Sequence, residues 1–174
     1  MQDIYHRARN IRLAAFDVDG VLTDGTLAFT GAGEESKEFG VLDGHGLKLL
    51  RESGVTLAIV SSRSARAVEA RARGLGIELL WQGVADKLAA FEELLRRVQL
   101  APQQCAYAGD DLLDLPVLER VGLAISVPDA PAAVRRRAHY VTRARGGRGA
   151  VREACELVLY ARGVPAWRTS GQRL

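Results

Sequence analysis

Six short, largely apolar runs recur along the chain, at 11–15, 55–60, 76–81, 105–108, 122–127 and 140–142, each closed by glycine or polar residues. Runs of that length without inside–outside alternation suit strands buried on both faces, as in a parallel sheet. Between them lie stretches at 47–52, 64–73, 83–98, 130–137 and 151–162 whose apolar positions return every three or four residues, the period of amphipathic helices. Ser53-Gly54 stops the first of these helices and Ala101-Pro102 stops the third. Strand and helix in alternation predict an α/β fold, a three-layer Rossmann-like parallel sheet. One interval breaks the rhythm. After the first strand, 26–30 and 35–39 flank Gly31-Ala32-Gly33-Glu34, which predicts a short β-hairpin inserted over about 25–40. It is too small to be a large cap domain and would overhang the end of the first strand as a partial roof. Next, Leu42-Asp43-Gly44-His45-Gly46 leads into the helix over 47–52, and the glycines on either side of His45 predict a turn.

Composition narrows the class. At 174 residues the chain fits one domain, expected over 1–162 and followed by an aperiodic tail over 163–174, with no need for metal or disulfide staples. Apolar residues make up 48% and charged residues 26%, as in ordinary soluble globular proteins. No apolar run is long enough to span a membrane, and residues 1–12 lack the apolar core of a secretory signal. A cytoplasmic protein without a membrane partner is expected. The formal net charge of +3 and sequence pI of about 9.1 raise the question of an anionic partner. Carboxylates dominate 34–38 with only Lys37 between them, whereas arginines crowd 135–137 and 143–152. Those arginines lack interleaved stacking aromatics, so a small phosphate or carboxylate ligand, or a subunit contact, is favoured over nucleic acid. Cys105 and Cys155 sit in apolar segments without CxxC spacing and read as buried thiols.

The candidate chemistry lies at the ends of the apolar runs, where α/β sheets bind their ligands. The first run ends in Phe16-Asp17-Val18-Asp19-Gly20-Val21-Leu22-Thr23-Asp24. A carboxylate pair one residue apart suits phosphoryl transfer through an aspartyl-phosphate: one attacks phosphorus, and the other protonates the leaving oxygen and later activates water. A turn beginning at Gly20 can swing Asp19 to the leaving-group side. The plainer alternative is an acidic loop at a strand end. The run over 55–60 ends in Ser61-Ser62-Arg63. A hydroxyl there can donate to a phosphate oxygen, Ser62 can cap the following helix, and the planar fork of Arg63 suits a carboxylate. Lys87 falls in the first turn of a helix, against the helix dipole, a position that makes sense beside an anion. Asp43 is either a helix cap or a substrate contact. The run over 105–108 closes in Gly109-Asp110-Asp111-Leu112-Leu113-Asp114. Three carboxylates there repel one another unless a cation sits among them, and Asp17, Asp110, the backbone carbonyl of Asp19 and waters are a ligand set that Mg2+ prefers.

The order DxDGxxxD, Ser61, Lys87 and GDDxxD resembles the four motifs of the haloacid dehalogenase superfamily. That resemblance implies Asp17 as nucleophile, Asp19 as acid/base, Ser61 as phosphate donor, and Lys87 as the cation balancing nucleophile and phosphate. It further implies Asp110 as magnesium ligand, Asp111 as a more distant or alternate ligand, and Asp114 as the partner of Lys87. Within the superfamily, DVDGVLTDG, the short hairpin, Phe39 through DGHG, IVSSRSA, GDDLLDLPVL and Gly146-Gly147-Arg148-Gly149-Ala150-Val151-Arg152-Glu153 are similar to the 3-deoxy-manno-octulosonate 8-phosphate phosphatases. The similarity runs from about Leu13 to Tyr160. It implies a capless, magnesium-dependent homotetramer acting on a sugar-acid phosphate, with Ser62, Arg63, Asp43, Gly44 and Arg148 as substrate-binding candidates. Leu42 and His45 replace an arginine and a tyrosine common in that family, and Ser61-Ser62 replaces threonine-glycine. Alternatives are a phosphatase for nine-carbon sialic-type acid 9-phosphates and a non-catalytic, tetramer-forming domain. The latter is expected to lose Asp17, Asp19, Lys87 or Asp110, and this chain retains all four. A receiver-type signalling domain would have no use for the hairpin or Asp19.

Overall fold

The alternation of apolar runs and amphipathic stretches folds, in a computed structural model describing residues 2–33 and 35–164, into one parallel sheet between two helical layers. In chain order the main elements are α1 (Gln2–Arg9), β1 (Leu13–Phe16), β2 (Ala28–Phe29), β3 (Glu35–Ser36), α2 (Val41–Glu52), β4 (Thr56–Val60), α3 (Arg66–Leu75) and β5 (Leu79–Trp81). They continue with α4 (Lys87–Val98), β6 (Cys105–Ala108), α5 (Leu115–Leu118), β7 (Leu123–Ser126), α6 (Ala132–Arg135), β8 (Tyr140–Val141) and α7 (Ala150–Ala161). The sheet has six strands in the order β5-β4-β1-β6-β7-β8, every pairing parallel, and β2 and β3 form the separate antiparallel hairpin.

Because side chains alternate across a strand, β1 divides its residues between two cores. Ala14 and Phe16 join Leu57, Ile59, Ala106 and Ala108 beneath α1, α2, α3 and α7. Leu13 and Ala15 join Ala58, Val60, Cys105 and Tyr107 beneath α4, α5 and α6. Phe16 is level with Ile59 of β4 and with Ala108 of β6, so the segments after these three strands emerge side by side. From β1 the chain builds outward first through β4 and β5, then through β6, β7 and β8. The loops after β1 and β6 therefore diverge and leave a crevice at the sheet's switch point.

Several boundaries differ from the sequence expectation. The hairpin strands are two residues long each. The segment containing His45 is helical, since α2 begins at Val41. Its glycines mark close packing rather than a turn: a Cβ on Gly46 would lie 3.0 Å from the Cα of Arg152 in α7, and one on Gly44 would lie 2.1 Å from the Arg71 guanidinium. The expected start of a helix at 83 moves to Lys87, where the Asp86 carboxylate accepts from Ala89 N at 3.0 Å as an N-cap. Ser62 does not cap α3, whose N-cap is Ala65. α1 and α5 were not anticipated, being short or lacking a full period of apolar residues, whereas the turn expected from Gly20 is present as a tight turn over Val18–Leu22. Cys105 and Cys155 are buried free thiols. Pro165, Trp167 and Gly171 of the expected tail lie outside the described residues.

Candidate active site

The turn after β1 places two carboxylates differently. Asp17 is extended (φ −69°, ψ 169°) and its N–H still bonds to Ala108 O of β6 at 2.9 Å, so its side chain remains at the sheet's end. Asp19 is also extended, but Gly20 then reverses the chain at φ +80°. Glycine is required there twice over. A side chain would be strained at that φ, and its Cβ would fall 2.0 Å from Asp110 Oδ2. The Gly146-Gly147 segment backs this turn: Gly147 N donates to Val21 O at 2.9 Å, and a Cβ on Gly146 would lie 1.8 Å from Gly20 O.

Asp17, Asp19, Ser61, Ser62, Arg63, Lys87, Asp110 and Asp111 line one pocket of about 220 Å³. Asp17 is 6% exposed. Its Oδ1 accepts from Val18 N at 2.7 Å, and Oδ2 lies 2.7 Å from Lys87 Nζ. Lys87 also meets Asp114 Oδ1 at 2.6 Å. Burial opposes the Lys87 charge, but Asp17 and Asp114 outweigh it and hold its pKa above the ordinary lysine value. Asp114 is fully buried and saturated: Oδ1 also accepts from Tyr107 Oη at 2.7 Å, and Oδ2 accepts from Asp110 N and Asp111 N, each at 3.0 Å. These contacts occupy its lone pairs, so it positions Lys87 and the β6 loop rather than remaining free for another ligand.

Asp110 differs. Its Oδ1 is buried with no hydrogen-bond partner among the described residues. Ligand atoms of Asp17, Asp110 and Asp114 lie within 4.8 Å of one another. Burial, then Asp114, pushes Asp17 up to about 6, and burial, then Asp17 and Asp114, pushes Asp110 up to about 7. Two carboxylates disfavoured as anions, one with an orphaned oxygen, fit a small divalent cation that would keep both ionised. Asp111 is exposed, its Oδ1 accepting from Leu112 N at 2.7 Å. Ser61 is buried, and its Oγ accepts from Arg63 N at 3.3 Å, leaving the hydroxyl proton for another acceptor.

Other candidates lie elsewhere. Asp43 is buried and caps α7 rather than its own helix: Oδ2 accepts from Gly149 N at 3.1 Å and Oδ1 from Arg152 N at 2.8 Å. Gly44 makes room for Arg71, which donates to Gly40 O at 3.0 Å. Arg148 pairs with Asp24 at 3.3 Å, outside the pocket. His45 Nδ1 faces the Arg152 guanidinium at 3.1 Å, between α2 and α7. Sequence reasoning missed Tyr107, although a phenol in a wholly buried strand signals a polar partner. It also passed over Glu35 and Lys37, whose spacing puts them on one side of an extended segment. Both reach Asp19 or its neighbours: Lys37 bonds to Asp19 Oδ1 and lies 2.7 Å from Glu35 Oε1.

Comparison with known proteins identifies the family. A family model described as haloacid dehalogenase-like hydrolase matches residues 43–122. The 3-deoxy-D-manno-octulosonate 8-phosphate phosphatase KdsC of Yersinia pestis is 51% identical over 159 residues, which cover 91% of this chain and 85% of the relative. The crystal structure of the Yersinia pestis phosphatase superposes with a TM-score of 0.91 at 50% identity, covering 92% of this chain and 87% of that one. The Moraxella catarrhalis phosphatase, solved with magnesium ion, phosphate ion and KDO, gives a TM-score of 0.92 at 45% identity, covering 94% of each chain. Identity of this level over nearly the whole length, on the same fold, places the chain in the 3-deoxy-D-manno-octulosonate 8-phosphate phosphatase family of the haloacid dehalogenase-like hydrolases.

Proposed function

We propose that the chain is a magnesium-dependent phosphatase that hydrolyses 3-deoxy-D-manno-octulosonate 8-phosphate to the free sugar acid and phosphate. The observation that carries this reading is Asp17, held by Lys87 at 2.7 Å, in one pocket with Asp110 and with ligand atoms of the two within 4.8 Å of one another. Asp17 and Asp110, with the Asp19 carbonyl, would hold Mg2+. When bound, the ion offsets the charge of nucleophile and phosphate so that two anions can approach. Asp17 attacks phosphorus as the bond to the sugar oxygen breaks, and the departing oxygen takes a proton from Asp19. Asp19 then accepts a proton from water as that water attacks phosphorus, and the Asp17–phosphorus bond breaks to regenerate the enzyme. Lys87 and the Ser61 hydroxyl hold the phosphoryl oxygens, and Arg63 pairs with the sugar's carboxylate. The unit responsible spans 1–162, works in the cytoplasm and assembles as a homotetramer.

Phosphate release across a panel of sugar-acid and neutral sugar phosphates tests the assignment. A lost charged hydrogen bond costs about 1.5–3 kcal/mol, so kcat/KM is expected to fall roughly ten- to a hundredfold for neutral sugars. Equal values would remove the substrate class, and preference for a nine-carbon acid 9-phosphate would select the sialic-type alternative. Asp17→Asn is expected to fold and to lose turnover; substantial activity in that variant would sink the covalent route.

A further inference from the structure

We propose that Lys37, carried by the hairpin, is the positioning residue for Asp19: it holds one carboxylate oxygen so that the other faces the leaving group. The inference rests on the reading of Asp19 as the acid. The Lys37 side chain is 1% exposed, although the hairpin that carries it has strands of only two residues each. Burying a lysine gives up both hydration and rotamer freedom, so a surface hairpin does so only when its partners compensate. Here the partners are two carboxylates. Lys37 Nζ bonds to Asp19 Oδ1 and lies 2.7 Å from Glu35 Oε1. Glu35 Oε2 in turn accepts from Arg63 at 2.9 Å.

The consequence lies in the two oxygens of Asp19. Oδ1 is taken by Lys37, whereas Oδ2 is buried without a hydrogen-bond partner among the described residues, with Arg63 Nε 3.7 Å away. An ammonium group only donates, so the oxygen facing it must accept. A proton carried by Asp19 therefore sits on Oδ2, on a residue that lines the pocket. In the first step the phosphorus–oxygen bond to the sugar breaks and its electron pair stays on the sugar oxygen, which takes the Oδ2 proton while Asp17 bonds to phosphorus. Lys37 never contacts substrate in this scheme. It sets which oxygen does, and Glu35 keeps Lys37 in place.

The test compares Asp19→Asn, Lys37→Met, Lys37→Gln, Lys37→Arg and the Asp19→Asn/Lys37→Met pair on two esters. One is the sugar phosphate the wild type turns over, whose alkoxide must be protonated. The other is p-nitrophenyl phosphate, whose leaving group needs no proton. The first-turnover rate is read by rapid quench, with unfolding curves on each variant. Lys37→Met is expected to lose roughly ten- to a hundredfold on the alkyl ester and under threefold on the aryl ester. Lys37→Arg should recover part of the loss, and the double variant should be no slower than Asp19→Asn. If the Met variant does not fold, Lys37→Gln carries the comparison. Equal losses on both esters, or additive losses in the double variant, would overturn the role of Lys37 while leaving Asp19 as the acid. Equal losses on both esters in Asp19→Asn itself would remove the acid assignment, and the positioning role with it.

Discussion

Asp110 is the residue at which folding and binding pull in opposite directions. Without metal, the folded-state values of about 6 for Asp17 and about 7 for Asp110 exceed the ordinary carboxylate value of 3.8. The folded chain then binds more protons than the unfolded chain between about pH 4 and 7, so its stability falls as pH rises through that window. Melting curves in EDTA are expected to show this decline, and added Mg2+ should reverse most of it by stabilising the ionised pair. Metal-free Asp110→Asn should melt on the order of a few degrees above metal-free wild type and should gain little from Mg2+. A metal response in that variant equal to wild type would show that the ion sits elsewhere. Asp17, Ser61, Lys87 and Asp110 were legible as candidates because each follows or faces an apolar run that ends at the same edge of a parallel sheet. Lys37 was not, because its relation to Asp19 arises only when the hairpin folds back over the first turn.

Among elements, α7 depends on a cap from a distant part of the chain. Gly149 precedes it without a side chain to offer, and Asp43 supplies both acceptors from 106 residues away for Gly149 and 109 for Arg152. Asp43→Ala leaves two partly buried N–H groups without their caps and is expected to cost about 1–2 kcal/mol. In a chain of this size that corresponds to roughly 2–4 °C for each kcal/mol in thermal unfolding. Turnover per folded molecule should change little, because Asp43 lies outside the pocket; a loss confined to kcat or KM at unchanged stability would restore it as a substrate contact. The glycines around His45 misled the sequence reading for a related reason. Gly44 and Gly46 serve contacts with Arg71 and α7, and local pattern cannot distinguish a glycine that bends the chain from one that admits a neighbour.

For the whole molecule, several large apolar residues remain exposed on segments that follow the strands at the pocket end. Leu27 and Phe29 lie on or beside the hairpin, Val41 and Leu42 at the start of α2, and Leu112 and Leu113 after β6; Phe29 is 60% exposed and Val41 84%. Exposed groups of this size favour association when they gather at one end of a molecule. The homotetramer proposed for this chain should then be weakened by Phe29→Glu. Light scattering and kinetics on one dilution series should show dissociation, with activity falling as the assembly is lost. A fully active monomer would separate the hairpin's catalytic part from any role in assembly. Charge shows the same dependence on scale. The arginines over 135–152 look like one basic cluster in sequence, yet Arg137 meets Glu119, Arg145 meets Asp129, Arg148 meets Asp24 and Arg152 meets Glu156.

The sequence alone determined the alternation of strands and helices, the inserted hairpin and the carboxylates at the strand ends. Apolar period and turn chemistry act between near neighbours, and a parallel sheet brings its strand ends to one side whatever the detailed packing. Only the tertiary structure decided where the remaining polar groups found partners. Asp43 reaches α7, Tyr107 and Lys87 converge on Asp114, and Lys37 closes on Asp19. A buried polar group must be satisfied by whichever group the fold brings within about 3 Å, and that neighbour is set by how the layers dock.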